Sequence, residues 1–584
     1  MPETVALVPP ETILLIEVDN FSQLKAQFKK TNFYKLYKDP AMAAFVDDFK
    51  AKWREKIKEI DNDIARAILD ADVLPQGKVA FALALNNQPT NANEPTVLFI
   101  SQWGQNISKI KEAVDKTVKK AIADGSHKKS EDYRGVAIET VVGEDETELI
   151  YCYIDDCMIL ATNPDMVKFV IAHIKGAAGS SLADSSDYTA AMKTVGPYHD
   201  IVLYVNIKQI VKTILARGGT AKTNTAMVNL GLDNVVSLAC SLGLAKSPAS
   251  SFHGKAVLKI EGAKKGLCKM LEADSAVIKP PRFIPASTYS VTFFNLNIKK
   301  AYDELYKILY AFSPQYAAMA FMPLLPPSPQ GEPAVQLKTD VIDHLGSQII
   351  IAQSVDKPFT ESSTPQYLIA LAVNNRTALE KSLSLVHSKI FAANNPEARR
   401  ELLGHTIYLL DFSGMLPFFS PGMTPMFARR AWQADSEPTA PQMPTLAFTI
   451  TDTHLLFGVE SAVERAVRTL SSGGSASIKS GWFNIAKSAV PSVVGLCCLQ
   501  NDATASELLW SQLTSAKRRP SSGIATTGPA PFQLGQYKIG ELVNFNLLPE
   551  FDTVRKYFWL SAFYGVSRTD GFFFEFKDVK PTAD

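Results

Sequence analysis

The chain has 584 residues, 46% of them hydrophobic and 20% charged, with 60 Lys and Arg against 59 Asp and Glu. A net charge of +1 excludes a protein whose main surface grips nucleic-acid phosphates, and the apolar content excludes an intrinsically disordered chain. No run of eighteen apolar residues occurs, so no membrane-spanning helix is expected. The length suits two large domains or three to four ordinary ones.

In chain order, Leu7 to Tyr37 reads as an aliphatic-Pro start, a strand and an amphipathic helix. Asp39 then reads as an N-cap with Pro40 at the first helical position. Phe45, Phe49, Trp53, Ile57, Ile60, Ile64 and Ile68 recur every three or four residues. That spacing predicts a long amphipathic helix over about 40–71. Asp61, Asp63, Asp70 and Asp72 read as its solvated end, because a calcium loop needs a glycine at the turn and a closing Glu. Lys78 to Leu83 alternates apolar and other residues as a strand does. Pro95 opens another strand, followed by a helix and loop whose Lys109, Lys111, Lys116, Lys119, Lys120, Lys128 and Lys129 read as a solvated face.

Residues 148–161 read as a hairpin turning at Asp155-Asp156, since Asp tolerates turn conformations. Cys152 then faces Ile159 and Cys157 faces Ile154, which disfavours a disulfide between them. The six cysteines lack zinc-site spacing and read as reduced, mostly buried thiols.

The order of these elements recurs. Residues 283–312 repeat the opening pattern, pairing Val8-Pro9 with Ile284-Pro285. The strand and helix from Pro365 repeat those from Pro95. The hairpin and helix from Ile450 match those from Ile154 at an offset of 296. Ser492 onward matches Asp200 onward, and Thr569 onward matches Phe252 onward, pairing Gly254 with Gly571. This predicts a duplicated chain with its boundary near Lys279-Pro280-Pro281, where each proline disfavours helix before it. Residues 1–281 and 282–584 are thus expected to be two homologous α+β modules. Each is a mixed or mainly antiparallel sheet with helices packed on one face. The second lacks the long helix, because the proline density of 313–345 forbids one.

Dinucleotide, P-loop, zinc-protease, nucleophile-elbow and kinase motifs are missing. The histidines are scattered, so no catalytic residue, metal site or cofactor is expected. The second module departs from the repeat at 316–333, 414–444 and 517–536. The first two segments are rich in Pro and Met, and loops normally run over the surface. Exposed there, Met319, Phe321, Met322, Leu324, Leu325, Phe418, Phe419, Met423, Met426, Phe427 and Trp432 form an apolar surface of the kind that marks interaction sites; folded back instead, these loops cap the open end of their own sheet in place of the missing helix. Arg429 and Arg430 add pairing with anions.

The stretch Leu7 to Val18, the helix Phe21 to Tyr37, Asp39-Pro40 and the strand Leu74 to Leu85 resemble a family of bacterial proteins known only as domains of unknown function. That family is often placed in the cell envelope. The resemblance implies a periplasmic or envelope location if a signal peptide has been removed from the chain, and a cytoplasmic one otherwise. It brings no catalytic residues. The expectation is therefore a non-enzymatic structural or protein-binding scaffold, meeting a protein partner or another copy of itself without nucleic acid. A binder of a lipid or other apolar small molecule, or an enzyme with an unrecognised site, are the alternatives.

Overall fold

The structure is a computed structural model. It describes residues 2–58, 73–85, 95–143, 148–196, 200–216, 221–247, 250–329, 331, 333–359, 363–392, 396–410, 445–473, 478, 481–515 and 542–581. The chain divides into two compact units, Met1–Lys265 with Asp502–Asp584, and Gly266–Asn501. The boundary expected at Pro281 thus falls within the second range, and the chain returns to its first unit from Asp502 onward.

The first unit holds β1 (Thr12–Val18), β2 (Val79–Leu85), β3 (Pro95–Gln102), β4 (His127–Tyr133), β5 (Val136–Val142), β6 (Glu148–Ile154) and β7 (Cys157–Ala161). β8 (Ile201–Val205), β9 (Val235–Ser247), β10 (Ser250–Ile260), β21 (Leu560–Arg568) and β22 (Gly571–Val579) complete it. They pair antiparallel in the order β4-β5-β6-β7-β3-β2-β1-β8-β9-β10-β22-β21. Its helices include α1 (Phe21–Phe28), α2 (Asn32–Lys38), α3 (Ala43–Lys58), α4 (Ile107–Ala123), α5 (Pro164–Ile174) and α6 (Ser186–Val195).

Alternation along the strands sends successive side chains to opposite faces. Leu98, Ile100, Ile150, Cys152 and Ile159 form one core with Val167, Val170 and Ile171 of α5 and Ala191 and Val195 of α6. The alternate residues Tyr151 and Met158 pack with Ile110, Val114 and Val118 of α4. Helices therefore cover both faces of this sheet, not one. The reason is local: β6 and β7 are apolar at both parities, so each face needs a cover.

The second unit holds β12 (Thr288–Phe294), β13 (Leu345–Ser354), β14 (Gln366–Val373), β15 (Arg399–Leu402), β16 (His405–Leu410), β17 (Leu446–Ile450), β18 (His454–Val459) and β20 (Leu496–Asn501). β11 (Ala276–Val277) and β19 (Val493–Val494) pair as a small separate ribbon. The main strands pair antiparallel in the order β15-β16-β17-β18-β14-β13-β12-β20. Position for position this follows β4-β5-β6-β7-β3-β2-β1-β8 of the first unit. Its helices include α7 (Ile298–Phe312), α8 (Pro314–Ala320), α9 (Arg376–Ile390), α10 (Glu460–Ser471) and α11 (Gly481–Ser488). Leu379 of α9 packs with Leu455 and Phe448 on one face. Phe483 of α11 meets Phe293 edge-on at 6.4 Å from the other. The α+β, antiparallel architecture read from the sequence is the one observed.

Several local expectations match residue for residue. Asp39 accepts a hydrogen bond from the Ala41 amide at 2.9 Å and caps the turn Pro40–Met42 that leads into α3. The rest of the expected long helix, with its acidic set from Asp61 to Asp72, lies outside the described residues. Cys152 pairs with Ile159 and Ile154 with Cys157, and Asp155 takes a left-handed φ of 53° at the turn. None of the six cysteines is in a disulfide, and four of them are buried. Burial pushes the Cys152, Cys157 and Cys497 thiols up to about 12, so they stay protonated and inert near neutral pH. No described helix is long and apolar enough to cross a membrane.

Candidate functional site

In the second unit, α7 begins at Asn297, whose side chain accepts from the Lys300 amide at 3.0 Å. It ends at Ser313, which in turn caps α8 by accepting from the Tyr316 amide at 3.3 Å. Pro314 at the first position of α8 fits a helix start, since its missing N–H is unpaired there anyway. The chain thus doubles back over one residue. Phe321 closes the bend, with ring centroids 4.8 Å from Tyr302 and 4.9 Å from Tyr306. Beyond it, the backbones of Leu325 and Val335 pair as an isolated bridge.

This helical hairpin turns apolar side chains outward. Among the described residues, eight of the 22 exposed large hydrophobic side chains fall between Leu305 and Leu324. Tyr316 is 71%, Met319 67% and Met322 62% exposed. Between Lys307 and Glu332 the chain carries no Asp, Glu, Lys or Arg. Such a surface gains little from water and offers broad apolar area with tyrosine hydroxyls at its margin.

Of the residues named from the sequence, Met319, Met322 and Leu324 are exposed here, and Phe321 and Leu325 are half-buried beneath them. Phe418, Phe419, Met423, Met426, Phe427, Arg429, Arg430 and Trp432 lie outside the described residues, as does the segment 517–536. Sequence reading missed the contribution of α7. Tyr306, Tyr310 and Phe312 look like part of an ordinary amphipathic stripe until α8 is seen to fold back beside them.

The first unit holds a second feature, an open cleft of about 290 Å³ on the sheet between β8 and β21. Register places Ile201, Leu242, Gly254, Phe576 and Phe563 in one row across five strands. The next row on that face is Leu203, Cys240, Ala256, Phe574 and Gly565. The Phe563 and Phe574 rings stack with centroids 5.9 Å apart and planes 8° apart. A glycine inside the β10 pattern was the available sequence signal for this cleft.

The opposite face of the same strands carries a polar cluster. Glu575, buried on β22, accepts from His253 Nε2 at 2.7 Å, from Lys577 Nζ at 2.8 Å and from the Tyr564 hydroxyl. Burial works against its charge, but these donors outweigh burial and hold the carboxyl at about 2. On the cleft face of β22, one row beyond Phe576, Asp578 accepts from Ser250 Oγ at 2.8 Å and from the Ser251 and Phe252 amides at 2.9 and 2.7 Å. His253, Ser250 and the Ser251 and Phe252 amides join β10 to the β21–β22 hairpin, while Lys577 and Tyr564 brace Glu575 from within that hairpin. The arrangement is that of a clasp between distant parts of the chain.

Residues 76–247 match a family model described as "Protein of unknown function (DUF3352)". No curated protein matches the chain. A solved structure titled "Structure of crystal form I of TP0453" aligns over 48% of this chain and 89% of its own, at 9% identity and a TM-score of 0.21.

Proposed function

We propose that the protein is a non-enzymatic scaffold that docks another protein through the α7–α8 hairpin of its second unit. The observation that carries this is the charge-free run between Lys307 and Glu332 with Tyr316, Met319 and Met322 exposed upon it. Tyrosine and methionine are enriched at protein interfaces relative to the rest of a surface, whereas lysine and glutamate are depleted. Methionine adapts to irregular partners, and the two caps and the Phe321 contacts hold the hairpin ready, which lowers the ordering cost of binding.

The scaffold itself reads as one module copied once. The shared strand order of the two units supports this, as does the position of a helix after β3 and β14 and after β7 and β18. On this reading β21 and β22 are the second copy's counterparts of β9 and β10, and they pair back onto β10. The remodelled stretch after α7 then has a use that the packing of the copied core does not supply.

A benzophenone side chain placed at position 319, irradiated in cells that make the protein, tests the docking. The expected result is one reproducible protein adduct that disappears when Tyr316 and Met322 are both changed to serine. The same probe at exposed Leu403, on the β15–β16 turn of the same unit, is expected to give none. Equal labelling at both positions, or no protein adduct at 319, rejects the reading.

A further inference from the structure

Gly254 stands in the middle of β10 without a backbone reason for being glycine. Its φ is not in the left-handed region. A Cβ built upon it comes no closer than 3.8 Å to the Ser241 carbonyl oxygen and 3.9 Å to Leu242 Cδ1, which is ordinary van der Waals contact. Glycine nevertheless weakens a strand interior, because it loses more chain entropy on folding and packs no side chain. What it leaves is space, and that space is the floor of the apolar cleft of the first unit. Leu242 flanks it across one strand and Phe576 across the other.

We propose that this cleft binds a single unbranched hydrocarbon chain, such as the acyl chain of a fatty acid, with Gly254 setting the clearance. Three observations select that occupant. First, β9, β10 and β22 each have strand neighbours on both sides. A peptide therefore cannot add there as a further strand, which is the usual way an extended peptide is held on a sheet. Second, the volume of about 290 Å³ lies just below the usual range for ligand pockets, roughly 300 to 1,000 Å³, which suits a slender ligand better than a bulky polycyclic one. Third, the side chains of the two rows that line the cleft are hydrocarbon, aromatic or thiol. Those of Lys255 and Glu575 alternate to the opposite face, where Glu575 is engaged with His253, Lys577 and Tyr564. The site thus offers width for one slender chain and nothing to pair a polar headgroup, which stays in water. Neither the docking hairpin nor the duplication enters this argument.

Titration of the purified, delipidated protein with cis-parinaric acid, followed by its fluorescence, tests the proposal. The native protein is expected to bind it saturably and to release it to decanoate. Gly254→Leu is expected to weaken binding at least tenfold by filling the floor. Gly254→Ala, which the geometry accommodates, is expected to weaken it a few-fold with an equal or higher thermal midpoint. The Tyr316→Ser, Met322→Ser variant is expected to bind as the native protein does. The proposal is overturned if the native protein does not bind the probe. It is overturned equally if folded Gly254→Ala and Gly254→Leu bind unchanged, or if binding is lost in the Tyr316→Ser, Met322→Ser variant instead.

Discussion

Replacing Gly571 by alanine is expected to destabilise the first unit by about 3 kcal/mol or more, by the cost of a misplaced non-glycine backbone and a hard overlap together. Gly571 begins β22 with a φ of +136°, a conformation L side chains rarely adopt. A Cβ there would sit 1.8 Å from the Leu258 carbonyl oxygen, and that oxygen belongs to the backbone of β10 and cannot swing aside. The strain falls at the start of the β10–β22 ladder, where Lys259 pairs with Gly571. Chemical denaturation followed through tryptophan fluorescence measures the loss, with Trp510 and Trp559 both in this unit. Gly254→Ala is the internal control, since it adds the same methyl group where nothing stands within 3.4 Å. If the two variants lose the same stability, the ladder is not held at this register.

Removing the Glu575 carboxylate is the second large effect. Glu575→Ala leaves Lys577, His253 and the buried Tyr564 hydroxyl without their shared acceptor. Breaking a buried charged cluster from one side costs about 3–5 kcal/mol. The pH dependence carries a definite sign. The carboxyl titrates at about 2 in the folded chain against 4.5 ordinarily. Its contribution is therefore complete above about 4.5 and is lost as the pH falls from there toward 2. Native protein is expected to lose stability across that window more steeply than Glu575→Gln, measured by urea denaturation at several pH values. Parallel curves for the two proteins would remove Glu575 from the clasp.

What the sequence made legible was local. The turn at Asp155-Asp156 follows from residues that favour turns, and the facing of Cys152 and Ile159 follows from a two-residue turn once its position is known. The Asp39 cap is equally a matter of two adjacent residues. The pairing of β10 with β22 was not legible. His253 and Lys577 are more than three hundred residues apart, and the run GFFFEF is apolar at both parities, so it suits many antiparallel neighbours. The second module's expected extent fails to fit the compact units for the same reason, because its closing hairpin pairs with β10, a strand of the expected first module. Of the candidate surface, the methionine and proline density singled out Met319 and Met322. Tyr306 and Tyr310 escaped notice because helical spacing alone does not tell a buried stripe from an exposed one. The cleft was hidden behind a single mid-strand glycine.

The closure of the first sheet by β22 sets an order on biosynthesis. Strand β10 leaves the ribosome complete at Ile260, and 310 residues separate it from Gly571. At translation speeds of about 5–20 residues per second that interval is on the order of 15–60 s. Throughout it, one flank of β10 has no strand to bond, and open sheet edges of this kind template aggregation. A nascent chain of this protein therefore carries that exposed edge until its C-terminal hairpin is made. A gene stopped after Asn501 is expected to yield product in the insoluble fraction, recovered in part by co-expressing residues 502–584.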